Sequence, residues 1–404
     1  MKNNKKISIL YGLEAAGGGA LKHLTYLVTH LDKELFDITV ILSPNRPDRI
    51  DSEIEKLKQS GARIIEMSMN REFNLFRDLF LVYRIYRHMR KHRYDIIHAH
   101  SSKAGFTFRI AAWLSGGASV VYTPHCFYFQ GKKGFSRWFY SRVERWLGRI
   151  TSYLVVSNNE RDYALQYRIA AEEKLVTINN AIDFIEYDSR EQSGQIRGKL
   201  GIGEENIIIG SVGRLTEQKD LVTYIYAARE VLKEHRNVVF LIAGDGELKD
   251  ELQKLIEELR LRDKVLIIGH YSNISDIYAV IDIFVSTSLW EGMPYVILEA
   301  MWFKKPVVAS DLGYRGLLHD KENGFLVKAG DYTGFAEIIK ILLRNNNLIR
   351  EMGEKGHSLV NTHFNFANFI REHEAFYKQL TDKRPPITDN REDSKTRRST
   401  RTNS

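Results

Sequence analysis

The sequence predicts an α/β protein built from two doubly wound, parallel-sheet domains that face each other across a cleft. Three observations carry that expectation. The 404 residues are too many for one ordinary core, so the length points to two domains. Short apolar runs recur, each followed by a loop and a helical pattern, as buried parallel strands require. These runs form two series, separated by the polar, glycine-containing stretch 188–206.

The first series reads KISILYGL, FDITVILS, DIIHAH, ASVVYTPH and SYLVVS. The second reads ENIIIGSVGRL, NVVFLIAGDG, KVLIIGH, IDIFVSTS, KPVVASD and NGFLV. FNFANFIREHEAFYKQL (364–380) has the spacing of one last amphipathic helix. The tail after it has almost no apolar residues and is expected to be disordered. The expected divisions are thus 1–190 for the first domain, 191–203 for the linker and 204–363 for the second domain. A terminal helix over 364–381 and a tail over 382–404 complete the chain.

Bulk composition narrows the function classes. With 43% hydrophobic and 27% charged residues the chain reads as soluble and globular, and it lacks the long apolar run of a spanning helix. The basic start MKNNKKISILYGL leads into a strand and a glycine loop in place of a signal-peptide cleavage site. A single cysteine, Cys126, excludes an internal disulfide framework and fits a reducing compartment, so a cytoplasmic location is expected. The net charge of +8 is concentrated: residues 71–150 carry 15 Lys/Arg against 4 Asp/Glu. A basic face of that kind suits an anionic partner. No recognition motif for nucleic acid accompanies it.

Four segments could carry chemistry. LEAAGGGALKHL places Gly17, Gly18 and Gly19 between a strand and a helix, where backbone amides can approach a phosphate. A plain flexible turn would read the same way. SVGRLTEQKD sets Arg214 and Lys219 after the first strand of the second domain, two cations able to neutralise a diphosphate without a metal ion, or simply a solvated loop. VVYTPHCFYFQG ends a strand on Pro124 and His125, an expected exposed position in the cleft where a histidine could move a proton or serve structure alone. SLWEGMPYVILEAM holds Glu291 and Glu299; Pro294 suits a helix start, which leaves Glu291 in the loop and Glu299 on the helix. No Asp-x-Asp at a strand end and no Cys/His cluster suggests a metal; Asp245 and Glu247 of GDGEL read as helix N-terminal acids.

Taken in order, GGGALKHL, YTPHCF, NNAID, GSVGRLTEQKD, IAGDGEL, LIIGH, SLWEGMPYVILEAM and ENGFLV resemble the retaining family-four nucleotide-sugar glycosyltransferases. The resemblance covers about residues 5–380. It implies the GT-B fold, two Rossmann-like domains around a cleft with a last helix returning to the first. It implies a nucleotide-diphosphate-sugar donor, UDP-sugar favoured, no cofactor and no metal. Carried over residue by residue, Gly18 and Gly19 meet the phosphates with Arg214 and Lys219, Glu291 lies at the sugar hydroxyls, and Glu299 accepts the ribose hydroxyls. Gly269 lies at the base, and Gly292, Met293, Tyr295 and Val296 line the donor end. His125 is the catalytic-loop histidine. The chain departs from the family at Cys126 and Ala181, where glycine is usual, and at Lys305 and Tyr314.

The resemblance further implies sugar transfer with retention to a glycan acceptor, often lipid-linked, in capsule, exopolysaccharide or lipopolysaccharide synthesis. FRDLFLVYRIYRHMRKHRYD and KKGFSRWFYSRVERWLGR mix basic and aromatic residues at helical spacing, which suits the inner membrane surface. An ordinary helix packed on the sheet with solvated arginines is the alternative for the first. For the whole chain the alternatives are a glycosidase using Glu291 and Glu299, and a non-catalytic sugar-nucleotide-binding module.

Overall fold

A computed structural model describes residues 5–15, 17–44, 50–70, 73–187, 193–271, 273–314 and 316–382. The tail from 383 and parts of the expected linker lie outside these residues.

Seven strands build the first sheet: β1 (Ile7–Leu13), β2 (Phe36–Leu42), β3 (Arg63–Glu66), β4 (Ile96–His100), β5 (Ser119–Thr123), β6 (Tyr153–Val156) and β7 (Leu175–Thr177). Six build the second: β8 (Ile207–Val212), β9 (Val238–Ala243), β10 (Val265–Gly269), β11 (Ile283–Ser286), β12 (Val307–Ser310) and β13 (Gly324–Val327). Every pairing is parallel. The orders are β3-β2-β1-β4-β5-β6-β7 and β10-β9-β8-β11-β12-β13. The winding direction reverses between β1 and β4 in one sheet and between β8 and β11 in the other. Loops leaving those strands open a crevice at the carboxyl edge, the usual ligand position in such sheets.

β3 and β7 are absent from the sequence reading. Both are edge strands of only four and three residues, and β3 is bounded by Arg63 and Glu66, so neither offers an apolar run long enough to stand out. The expected linker, 191–203, also differs. Residues Ser193–Lys199 form a helix of the second domain, tied to it by Arg197 at 3.5 Å from Asp282.

Buried residues group on both faces of each sheet. One cluster runs from Ile9, Tyr11 and Leu24 in the first domain through Leu241, Phe284 and Leu298 in the second. It includes Phe369, Phe376 and Tyr377 of the last helix, Phe366–Asp382. That helix returns to the first domain, where the Tyr377 hydroxyl lies 3.0 Å from that of Tyr11 and 2.7 Å from His98 Nδ1. On the outer face of the first sheet, helices Leu75–Lys91, Ser102–Ser115 and Gly134–Ile150 pack side by side.

Candidate active site

The four loops leaving β1, β5, β8 and β11 converge in the cleft. β1 runs into Gly17–Gly18, and Gly18 adopts φ +72°, a left-handed conformation that glycine takes without steric cost. A side chain there would approach Arg214 Nε to 3.9 Å, so the first domain's glycine turn faces the cation that follows β8. A Cβ on Gly19 would sit 3.2 Å from the ring of Tyr295. Gly18 begins the helix Gly18–His30, whose dipole adds positive potential at the same spot.

Lys219 and Glu291 form one unit. Lys219 Nζ lies 2.6 Å from Glu291 Oε1, Ser288 Oγ donates to the same oxygen at 2.9 Å, and Gln218 donates to Oε2 at 3.3 Å. Glu291 is buried, and its position in the loop ahead of Pro294 follows because the helix starts only at Tyr295. The backbone oxygens of Glu291 and Gly292 accept from Asn159 of the first domain at 3.3 and 3.4 Å. The loop that carries Glu291 is thereby fastened across the cleft. Met293 O is held the same way, accepting from Asn180 Nδ2 at 2.7 Å.

Glu299 is placed differently from Glu291. It projects from helix Tyr295–Trp302 and receives Lys22 Nζ at 2.8 Å, the Tyr187 hydroxyl at 2.6 Å and the Tyr278 hydroxyl at 2.7 Å. Lys22 also bonds the Tyr187 hydroxyl. Burial alone would raise the pKa of Glu299, but the Lys22 charge and the three hydrogen bonds outweigh it and hold the carboxyl below its ordinary value of 4.5. Lys22 comes from the first domain, so this is a second tie between the domains. Val296 O accepts from Tyr278 at 3.3 Å. Gly269 ends β10 with φ +73°, and its carbonyl accepts from Gly244 N at 2.8 Å.

His125 departs from the expected exposed position. It is half-buried with φ +52°, because it lies in a row of imidazoles from four segments. Its Nε2 lies 3.0 Å from His100 Nδ1; its ring stacks on His100 at 5.3 Å and meets the edge of His23 at 4.7 Å. Burial, reinforced by His23 and His373, pushes its pKa well below the usual histidine value, so the ring is neutral at pH 7. Nitrogens of His23, His100 and His125 lie within 4.8 Å of one another, and among the described residues this is the one group able to gather round a metal ion. Its chemistry would suit zinc. Cys126 follows with φ +95°, in the left-handed region that favours glycine. Burial and the nearby carboxylates of Glu291 and Glu160 raise its thiol pKa, which puts the His125 loop beside the Lys219–Glu291 pair.

The sequence reading used only the glycines of GGGALKHL, yet Lys22 and His23 of that stretch reach Glu299 and Asn180. Tyr187 and Tyr278 carry no local signal, and only the fold brings them to Glu299, whereas Ser288 stands close to Glu291 within SLWEGMPYVILEAM.

The group 1 glycosyl transferase family model matches residues 192–359, and the glycosyltransferase family 4 model matches residues 17–185. The chain is a family-four glycosyltransferase of the GT-B fold. Among its relatives is an Escherichia coli UDP-Gal:α-D-GlcNAc-diphosphoundecaprenol α-1,3-galactosyltransferase, 28% identical over 86% of this chain and 90% of the relative. The Staphylococcus aureus capsular polysaccharide biosynthesis glycosyltransferase CapM is 25% identical over 81% of this chain and 88% of its own length. In fold it is similar to Anabaena HepE in complex with UDP and glucose, with a TM-score of 0.79 and 23% identity over 92% of this chain and all of that one. The two family models meet at the junction between the two sheets, and the family assignment makes the protein a glycosyltransferase.

Proposed function

We propose that the protein moves a sugar from a nucleoside diphosphate sugar to a lipid-linked glycan, with retention and without a metal ion. The observation that carries the reading is the pairing across the cleft: the Gly18–Gly19 turn against Arg214, beside the Lys219–Glu291 pair. Breaking a sugar–diphosphate bond puts negative charge on the leaving group and positive character on the sugar ring. Arg214, Lys219 and the helix N-terminus at Gly18 stabilise the first, as pre-organised donors do most effectively. Glu291 faces the second and binds sugar hydroxyls, while Glu299 takes the ribose. Lys219 is paired with Glu291, so donor binding exchanges that ion pair for a phosphate contact on Lys219 and a sugar contact on Glu291. His125, held neutral, donates or accepts one hydrogen bond at the sugar. Retention follows from a front-face route in which the leaving phosphate takes the acceptor proton.

The acceptor reading is supported by the name of the Escherichia coli relative, whose substrate is a diphosphoundecaprenol glycan. It is supported as well by the outer face of the first domain. There the three packed helices leave Phe76, Phe80, Trp113, Phe135, Trp138 and Trp146 exposed among arginines and lysines, a mixture that binds anionic lipid. Among the described residues no helix is long and apolar enough to cross a membrane. We therefore take the protein to work peripherally at the inner membrane face. Incubation with a nucleotide sugar and membranes bearing the lipid-linked acceptor tests the reading. Free nucleoside diphosphate should appear only when both substrates are present; release of free sugar without acceptor would instead indicate a hydrolase.

A further inference from the structure

We propose that the diphosphate of the lipid-linked acceptor binds in the cavity between residues 68–70 and helix Leu75–Lys91, held by Arg77 and Arg84. This inference rests on the lipid-linked acceptor proposed above and adds where its anionic part is gripped.

The cavity has a volume of about 260 Å³ and is lined by Ser68, Asn70, Asn74, Arg77, Phe80 and Arg84 among others. That is below the roughly 300–1,000 Å³ of sites that enclose a drug-sized ligand, and it suits a head group more than a whole glycolipid. The helix sorts its residues by direction. Asp78, Leu81, Val82, Ile85 and Met89 face the sheet, while Phe76, Leu79, Phe80 and Tyr83 stay exposed. At about 100° per residue, Arg77 and Arg84 return to within roughly 20° of each other, about 10 Å apart along the axis. They form a cationic stripe on the border between the packed side and the exposed apolar side.

Among the described residues that line the cavity, charge is unbalanced. The acid in its lining, Asp78, is neutralised by Lys103 at 2.7 Å and accepts from the Asn74 amide at 3.1 Å. Among the described residues no carboxylate pairs with Arg77 or Arg84. Two guanidinium groups facing one cavity whose described acid is already paired with Lys103 match an anion with several oxygens, because each can make two parallel hydrogen bonds to phosphate. A diphosphate offers that pattern to both at once.

Position makes the assignment specific. The cavity opens at the carboxyl end of β3, on the same edge of the sheet as the Gly18 turn and His125. Lys103, in the first turn of the helix after β4, links it to that edge. Phe76 and Phe80 stand beside it, 82% and 62% exposed. An acceptor whose prenyl chain lies in the bilayer under these phenylalanines brings its diphosphate to the arginines and its glycan toward the cleft.

The test uses farnesyl diphosphate and farnesyl monophosphate as probes on the full chain, with UDP binding as the control. The wild type should bind the diphosphate at least tenfold more tightly than the monophosphate. In R77A/R84A that preference should vanish while the thermal shift given by UDP stays unchanged, which also shows that the variant is folded. R77K/R84K should keep part of the preference, since lysine supplies the charge without the paired donors. An unchanged preference in R77A/R84A overturns the proposal. So does a loss of binding to phosphatidylglycerol vesicles with farnesyl diphosphate binding intact, because the arginines would then serve the bulk lipid surface. Failure of the wild type to transfer sugar to any lipid-linked diphosphate would refute the proposed function and is read separately from these ratios.

Discussion

The ion pair between Lys22 and Glu299 joins the two domains, and its removal should have a measurable and pH-dependent cost. Taking one partner from a buried pair costs about 3–5 kcal/mol. The Lys22 side chain keeps 21% of its exposure, and Tyr187 and Tyr278 still donate to the carboxylate in Lys22→Met. The expected loss is therefore smaller, about 2–3 kcal/mol. For a chain of 404 residues that corresponds to a fall in Tm of roughly 2–4 °C at pH 7. Glu299→Gln in the Lys22→Met background removes the stranded charge and should restore at least half of the fall. The sign with pH follows from the direction of the shift. In the wild type the carboxyl sits below 4.5, so its contribution is present above that value and is lost as pH falls through the folded pKa. Without Lys22 burial dominates and the carboxyl moves above its ordinary value, so the deficit against wild type should shrink between pH 7 and pH 5. Scanning calorimetry of the three proteins at both pH values measures this. A double variant no more stable than Lys22→Met, or a deficit that grows toward pH 5, would refute the reasoning.

Further outcomes follow from the same geometry. Cys126→Gly should raise Tm by about 1–3 °C, since a non-glycine residue at φ +95° stores roughly 1–3 kcal/mol, part of which is offset by the lost contact from Sγ to Gln130; Cys126→Ala should give no gain. Lys219→Ala and Glu291→Gln should each lower transfer by about 10²–10³, as loss of a charge-stabilising group does in pre-organised sites, and near-native rates in both would remove the donor-site assignment. Transfer should survive EDTA, because Arg214 and Lys219 take the place of a metal at the diphosphate; a loss restored by zinc would point instead to His23, His100 and His125. Replacing Phe76, Phe80 and Trp138 together by alanine should reduce sedimentation with anionic vesicles several-fold and leave UDP binding intact, and binding insensitive to both salt and acidic lipid would contradict a membrane face.

Much of the architecture was readable because buried parallel strands advertise themselves as apolar runs. The four strands at the switch points, β1, β4, β8 and β11, each lie within such a run. Pro294 likewise separated the two acids correctly, since its ring and missing N–H suit a helix boundary. β3 and β7 stayed hidden because short edge strands need few apolar residues. The surroundings of His125 stayed hidden for another reason. His23, His98, His100 and His373 are distant in sequence, and only strand order and the returning last helix stack them together. Lys22 and Glu299 are 277 positions apart, a pairing that no local pattern encodes. The arginines at 77 and 84 were legible as basic, but their cavity depends on how residues 68–70 pack against the helix.

The central claim is that the nucleotide sugar is gripped across the cleft, with its phosphates at Arg214 and its sugar at Glu291. Calorimetric titration of UDP and of the cognate UDP-sugar into wild type, Arg214→Ala and Glu291→Gln tests it most directly. Arg214→Ala should weaken both ligands at least tenfold, whereas Glu291→Gln should weaken only the UDP-sugar, with UDP bound as well as or better than by wild type because Lys219 is released. Equal weakening of UDP and UDP-sugar by Glu291→Gln, or unchanged binding of both by Arg214→Ala, would contradict the account.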